Sequence, residues 1–230
     1  MNATSEEDRI AIFASGGHAI VVADAINCML RVHSVDGRQG RIVGFVENDA
    51  KPGAAVIGLP IIGSDASPQV YYDGPPITHF VIGLGSIRGG LGRRQALFAT
   101  ATGFGFEALT VVHPFAYVSP LARIEAGAVV MAGAVVQPRA RLGINAIVNT
   151  RASVDHDCVV GDHAHVAPGA TLSGNVMVGE DSLVGVGATI KQGIRIGRGV
   201  TIGAGAVITK DVPDGAVVFG ARPTNAPPTA

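Results

Sequence analysis

A chain of 230 residues with 17 basic against 18 acidic side chains and a formal charge of −1 has no electrostatic footprint for nucleic acid. Cys28 and Cys158 stand in unrelated contexts, so free thiols are expected rather than a disulfide, as in a reducing compartment. The longest apolar run, Gly127 to Val136, is far shorter than the roughly 20 residues a membrane helix requires. The acidic N-terminus lacks the pattern of a signal peptide, and a cytoplasmic location is expected.

Taken in chain order, Arg9 to Ala14 reads as a buried strand, followed by Ser15-Gly16-Gly17-His18 and a helix over Ala19 to Arg31. A second strand, Ile42 to Val46, ends in Glu47-Asn48-Asp49, and a third, His79 to Ile82, ends in Gly83-Leu84-Gly85-Ser86. A helix is expected over Arg88 to Thr100. This alternation argues for a small parallel α/β sheet of Rossmann-like kind, with ligands at the carboxyl ends of its strands. Glycines after the first strand let backbone N–H groups approach a phosphate at a helix N-terminus. The third spaced glycine of the dinucleotide fingerprint is missing, which favours a shorter nucleotide ligand over NAD.

From Val112 to Ile208 every sixth residue is Val, Leu or Ile, without interruption, and the position four after each is mostly Ala. A fixed short period is the signature of a solenoid, and a period of six is not that of an amphipathic helix. Two residues per hexad face inward, three hexads close a triangular coil, and eighteen residues separate stacked positions. Two domains are expected, 1–109 and 110–230. The second resembles the left-handed parallel β-helix of the hexapeptide-repeat acyltransferases, and its handedness is taken from that resemblance.

Three segments carry a closer resemblance. They are Ser15-Gly16-Gly17-His18, then Val154-Asp155-His156-Asp157-Cys158-Val159-Val160-Gly161 with His165 beyond it, then Asp211-Val212-Pro213 through Gly220-Ala221-Arg222-Pro223. From about Ile10 to Pro223 the chain is similar to the bacterial nucleotide-sugar N-acetyltransferases of the sialic-acid and bacillosamine acetyltransferase kind. The resemblance implies acetyl-CoA as co-substrate, the 4-amino group of a nucleotide-linked 4-amino-4,6-dideoxyhexose as acceptor, no metal, and a homotrimer with its sites between subunits. It places His165 at the acetyl-CoA thioester and Val186, Ala204 and Gly205 along the pantetheine arm, with Lys191, Lys210 and Arg222 as candidates for the CoA phosphates. It lines the nucleotide-sugar cleft with Ser15, Gly16, Gly17, His18, Glu47, Asn48, Gly85 and Ser86. Three departures are visible. Glu47-Asn48-Asp49 stands where the family usually has Asp-Asp, Gly85-Ser86-Ile87 where it often has Gly-Asp-Asn or Gly-Asn-Asn, and Asp157 where it usually has Glu.

The repeat also acts as a ruler. His156 occupies an outward corner, and eighteen residues on, in the next coil about 4.8 Å away, the same corner is Gly174. A base beside side-chain-free backbone suits acyl transfer, with His156 accepting the amine proton and the Gly174 N–H stabilising the oxyanion of the thioester. Asp157 or Asp155 could hold the imidazole, and the resemblance favours Asp157. Cys158 falls on an inward position, so it is not expected to act as a nucleophile. His165 lies half a coil from His156 and faces another cleft, so a site using both must lie between neighbouring solenoids. His163 is expected at the surface.

Three other functions compete. A zinc lyase of the carbonic anhydrase kind needs three suitably spaced histidines, and His113, His156, His163 and His165 lack that spacing. A purely structural solenoid is the non-enzymatic reading. Within the enzymes, O-acetylation of a sugar hydroxyl is the runner-up, since the same histidine could deprotonate a hydroxyl.

Overall fold

The computed structural model describes residues 7–33, 39–49, 51, 53–86 and 92–220. Arg222 and the end of the Gly220 to Pro223 motif fall outside them. The first part contains β1 (Asp8–Phe13), α1 (Gly17–His33), β2 (Gly40–Val46), β3 (Ala55–Val56), β4 (Leu59–Gly63), β5 (His79–Ile82), α2 (Arg93–Gly103) and β6 (Glu107–Ala108). Its sheet order is β3-β4-β2-β1-β5-β6. β1 is buried from Arg9 to Phe13, the continuous burial of a parallel strand covered on both faces.

Pairing is parallel throughout except between β3 and β4, a hairpin that the expected all-parallel sheet did not include. Its two-residue turn, Ile57-Gly58, has φ of 48° and 80°, the left-handed pair of a type I′ turn. α2 starts at Arg93, after Gly92 at φ 84°, outside helical space; residues 88–91, where the expected helix begins, are not among those described. Strand order reverses at β1 and β5. The loops after these two strands, 14–16 and 83–86, therefore flank the crevice where α/β sheets bind ligands.

The second part is a parallel β-helix of two-residue strands running from β7 (Val111–Val112) to β24 (Val217–Val218), in sheets of seven, six and five strands. Val129 pairs with Val111, Val135 with Tyr117 and Arg141 with Arg123, each eighteen residues apart. Val136, Leu142 and Val148, with Ala134, Ala140 and Ala146, are fully buried, so two side chains per hexad fill the interior. A residue with positive φ recurs at every sixth position from Gly127 to Gly205 and turns the corner; Gly, Asn, Asp, Arg and His all occupy it. The last coil is two residues short, pairing Thr201 with Val217 and bridging Ile196 to Val212.

One face of the β-helix is apolar on its outside. Val111, Val129 and Ile147 pack with Ala19, Val22, Ala23 and Ile26 of α1, which seats the first part on the solenoid. The strands of another face instead expose Arg123, Arg141 and Arg195. Among the described residues no helix is long and apolar enough to cross a membrane.

Candidate active site

His156 sits on the turn between strands Ser153–Val154 and Val159–Val160, with its side chain 50% exposed. The Asp155 carboxylate accepts the His156 backbone N–H at 2.7 Å, while Asp157 Oδ2 accepts from the ring Nδ1 at 2.8 Å. The left-handed φ of 60° at Asp157 places it at the corner of the turn. One coil earlier, Arg139 donates to both Asp157 oxygens, at 2.6 and 2.7 Å. Arg139 first and the imidazole second hold the Asp157 carboxyl well below the usual carboxylate range. With Nδ1 donating to a carboxylate, the neutral ring has its lone pair on Nε2. That nitrogen lies over Gly174, where a Cβ would come within 2.6 Å of both Cε1 and Nε2. The Gly174 N–H has no acceptor among the described residues.

His165 lies on the face covered by the first part and is 5% exposed. The Ser86 N–H donates to its Nδ1 at 3.1 Å, its Nε2 is 3.0 Å from the Asn149 side-chain amide, and its ring lies 5.9 Å from that of His18. Gly85 fits between the two rings. Burial first, then the nearby Arg94 charge, pushes His165 down to about 3 and His18 to about 4. Beside them runs a largely apolar groove of about 400 Å³, lined by Ser86, His165, Val186, Ala204 and Phe219 among others. Gly205 adjoins it, its N–H bound to the Val186 carbonyl at 2.8 Å.

At the carboxyl ends of β1, β2 and β4 lies a polar network. The Ser15 N–H and hydroxyl both donate to Glu47 Oε2, at 3.1 and 2.9 Å. Asn48 clasps Asp65, its Nδ2 donating to the carboxylate at 2.7 Å and its Oδ1 accepting the Asp65 N–H at 2.8 Å. Gly16 and Gly17 leave open space where a Cβ would be. Asp65 is not among the residues expected at this site; the run Gly63-Ser64-Asp65-Ala66-Ser67-Pro68 marks a loop, but its place beside Asn48 follows from the pairing of β2 with β4, which no local pattern announces.

The model of the hexapeptide repeat of succinyl-transferase matches residues 175–210. The acetyltransferase domain of PglB from Neisseria gonorrhoeae FA1090 is 38% identical, with a TM-score of 0.79 over 93% of this chain and 97% of that one. PerB from Caulobacter crescentus, in complex with CoA and GDP-perosamine, is 34% identical, with a TM-score of 0.78 over 92% and 93% of the two chains. The chain belongs to the bacterial nucleotide-sugar N-acetyltransferases. WeeI from Acinetobacter baumannii AYE, 24% identical with a TM-score of 0.66 over 92% of this chain and 96% of that one, shares the fold. A comparison with curated proteins gives no match.

Not every expected site residue of this acetyltransferase meets a cavity. Lys191 and Lys210 are exposed and do not line the groove beside His165. His163 is buried rather than at the surface, because α2 covers it. Its Nδ1 is 3.0 Å from the Asn145 amide, and its ring meets Phe98 edge-on at 5.7 Å. A larger open groove, about 840 Å³, runs along the face of Met177 and Arg195 and holds none of the site histidines. Asp24, Cys28 and His113 bring three possible metal ligands within 4.8 Å of one another. His113 Nδ1, however, accepts the Phe115 N–H at 3.0 Å, so the neutral ring carries its proton on Nε2 and offers no free lone pair.

The buried histidines make the transferase acid-sensitive. His18 and His165 fall from 6.5 to about 4 and about 3, and burial lowers His163 as well. Below pH 6.5 the unfolded chain therefore binds more protons than the folded one, and stability is lost as pH drops. The thermal midpoint is expected to be flat above pH 7 and to fall steadily from about pH 6.5 to pH 4.5. His165→Gln should flatten that slope, and an unchanged slope would count against a neutral, buried His165.

Proposed function

We propose that the protein transfers the acetyl group of acetyl-CoA to the 4-amino group of a nucleotide-linked 4-amino-4,6-dideoxyhexose, with His156 as general base. The observation that carries this is the imidazole anchored by Asp157 at 2.8 Å, its other nitrogen over Gly174, whose N–H has no acceptor among the described residues. The amine attacks the thioester carbon while His156 Nε2 takes its proton. The Gly174 N–H supports the oxyanion until the C–S bond breaks and CoA leaves as a thiolate to be protonated. PerB in complex with CoA and GDP-perosamine, and the PglB domain in complex with acetyl coenzyme A, support the substrate classes.

On this reading the groove beside His165 takes the pantetheine arm, with His18, Gly85 and Ser86, expected in the nucleotide-sugar cleft, standing beside it, and the Ser15, Glu47 and Asn48 end takes the nucleotide. His156 and His165 stand on different faces of one solenoid, so they meet only across a neighbouring copy. The working form is then a homotrimer with three shared sites. Sedimentation should give a trimer, and mixing His156→Ala with His165→Ala subunits should restore part of the activity. An active monomer would overturn the shared site.

Turnover should not need Cys158. Its thiol is fully buried, donates to the Ser173 carbonyl at 3.1 Å, and is pushed up by burial to about 11. Cys158→Ala is expected to retain wild-type kcat, and a folded but inactive variant would point to an acyl-enzyme instead. The reading as a whole is tested by thiol release from acetyl-CoA against UDP-, dTDP- and GDP-linked 4-amino-4,6-dideoxyhexoses. Turnover with one of them fixes base and acceptor together; turnover only with a hydroxyl acceptor would replace N- by O-acetylation.

A further inference from the structure

We propose that Arg94 is a positioning residue for the acetyl-CoA groove, fixing the Leu84 to Ser86 loop and through it the His165 ring. This rests on the reading of the groove given above. An arginine in the first turn of a surface helix ordinarily carries its guanidinium out to water. Arg94 is 2% exposed, and the described residues place no carboxylate in hydrogen-bond or ion-pair contact with it. Burial disfavours the charged guanidinium, the Asp181 charge opposes that effect from beyond contact distance, and the hydrogen bonds must offset the rest.

Those bonds join three separate segments. One terminal nitrogen donates to the Leu84 carbonyl, in the loop after β5. The other donates to both the backbone carbonyl and the side-chain oxygen of Asn145, the latter at 2.8 Å, on a corner of the solenoid. The Asn145 amide then reaches His163 Nδ1 at 3.0 Å. Only a planar group with several fixed donors serves three oxygens on two segments at once.

What the fork holds is the wall of the groove. Leu84 lies two residues before Ser86, whose N–H fixes His165 Nδ1 at 3.1 Å. Gly85 between them is close against both His165 and His18, 3.5 and 3.6 Å from where its Cβ would be. Release of Leu84 frees the loop, and the ring loses the donor that sets its orientation. The cation in the wall also disfavours protonation of both rings. The Ser15, Glu47, Asn48 and Asp65 network shares no bond with Arg94.

Steady-state kinetics of the full chain, with acetyl-CoA and whichever nucleotide sugar the wild type accepts, tests this in Arg94→Met, Arg94→Lys and Ser86→Pro. In Arg94→Met the KM for acetyl-CoA should rise about tenfold, the loss of a hydrogen bond to a charged group, while the KM for the nucleotide sugar stays within about twofold. Arg94→Lys should shift in the same direction, because a compact ammonium cannot span Leu84 and Asn145 together. Ser86→Pro removes the N–H given to His165 and leaves Arg94 in place, so it should show the same split and decides alone if Arg94→Met does not fold. An unmoved acetyl-CoA KM in the folded variants, or both KM values rising together, would mean that Arg94 only cements the two parts. A wild-type chain that neither binds CoA in calorimetry nor releases thiol would overturn the functional reading instead.

Discussion

Replacement of His156 by alanine is expected to lower kcat by about two to four orders of magnitude with a modest change in KM. The ring is half out in solvent and hydrogen-bonds, among the described residues, to Asp157 alone, so its removal leaves the core of the solenoid untouched. What goes is the proton acceptor of the proposed mechanism. In that mechanism the ammonium form of the acceptor must lose a proton before attack and the attacking amine another during it, and water is a poor base for the second step. Thiol release at saturating acetyl-CoA measures the loss, and circular dichroism checks the fold. Activity within tenfold of wild type would remove His156 from the mechanism.

Gly174→Ala is expected to cost about a hundredfold in kcat, the scale of a misplacement near one ångström at reacting atoms, without unfolding the chain. The added methyl would lie 2.6 Å from Cε1 and Nε2 of His156 and 3.2 Å from Nδ1, so the imidazole must swing away from Gly174. Backbone conformation does not oppose the change, since Gly174 is not among the positive-φ glycines. The same kinetics, read with a thermal melt, separates this from instability. An unimpaired Gly174→Ala would show that the ring does not work from this position.

These two residues are legible in the sequence because their juxtaposition depends only on counting. Eighteen residues per coil puts Gly174 against His156 whatever the rest of the molecule does. The choice between Asp155 and Asp157 is not legible there, since both are one residue from His156; the turn settles it by giving the former to the backbone N–H and the latter to the ring. The β3 to β4 hairpin is hidden because its left-handed turn opens with Ile57 where Asn or Asp is usual. The burial of His163 and of Arg94 is hidden for a single reason. It is created by α2 settling on the solenoid, a contact between segments far apart in the chain, Arg94 with Asn145 and Phe98 with His163, that no local pattern announces.

The coils below and above His156 have a further bearing on which acceptors this architecture can serve. Coils stack about 4.8 Å apart, so moving His156 along the solenoid while it keeps its corner changes its height in steps of that size. The crevice between the loops after β1 and β5, by contrast, is pinned to the first coils through α1 against Val111, Val129 and Ile147. The span from crevice to His156 is therefore quantised, like the rungs of a ladder. A shift in acceptor length smaller than one rung has to come from the loops after β1 and β5, not from the solenoid.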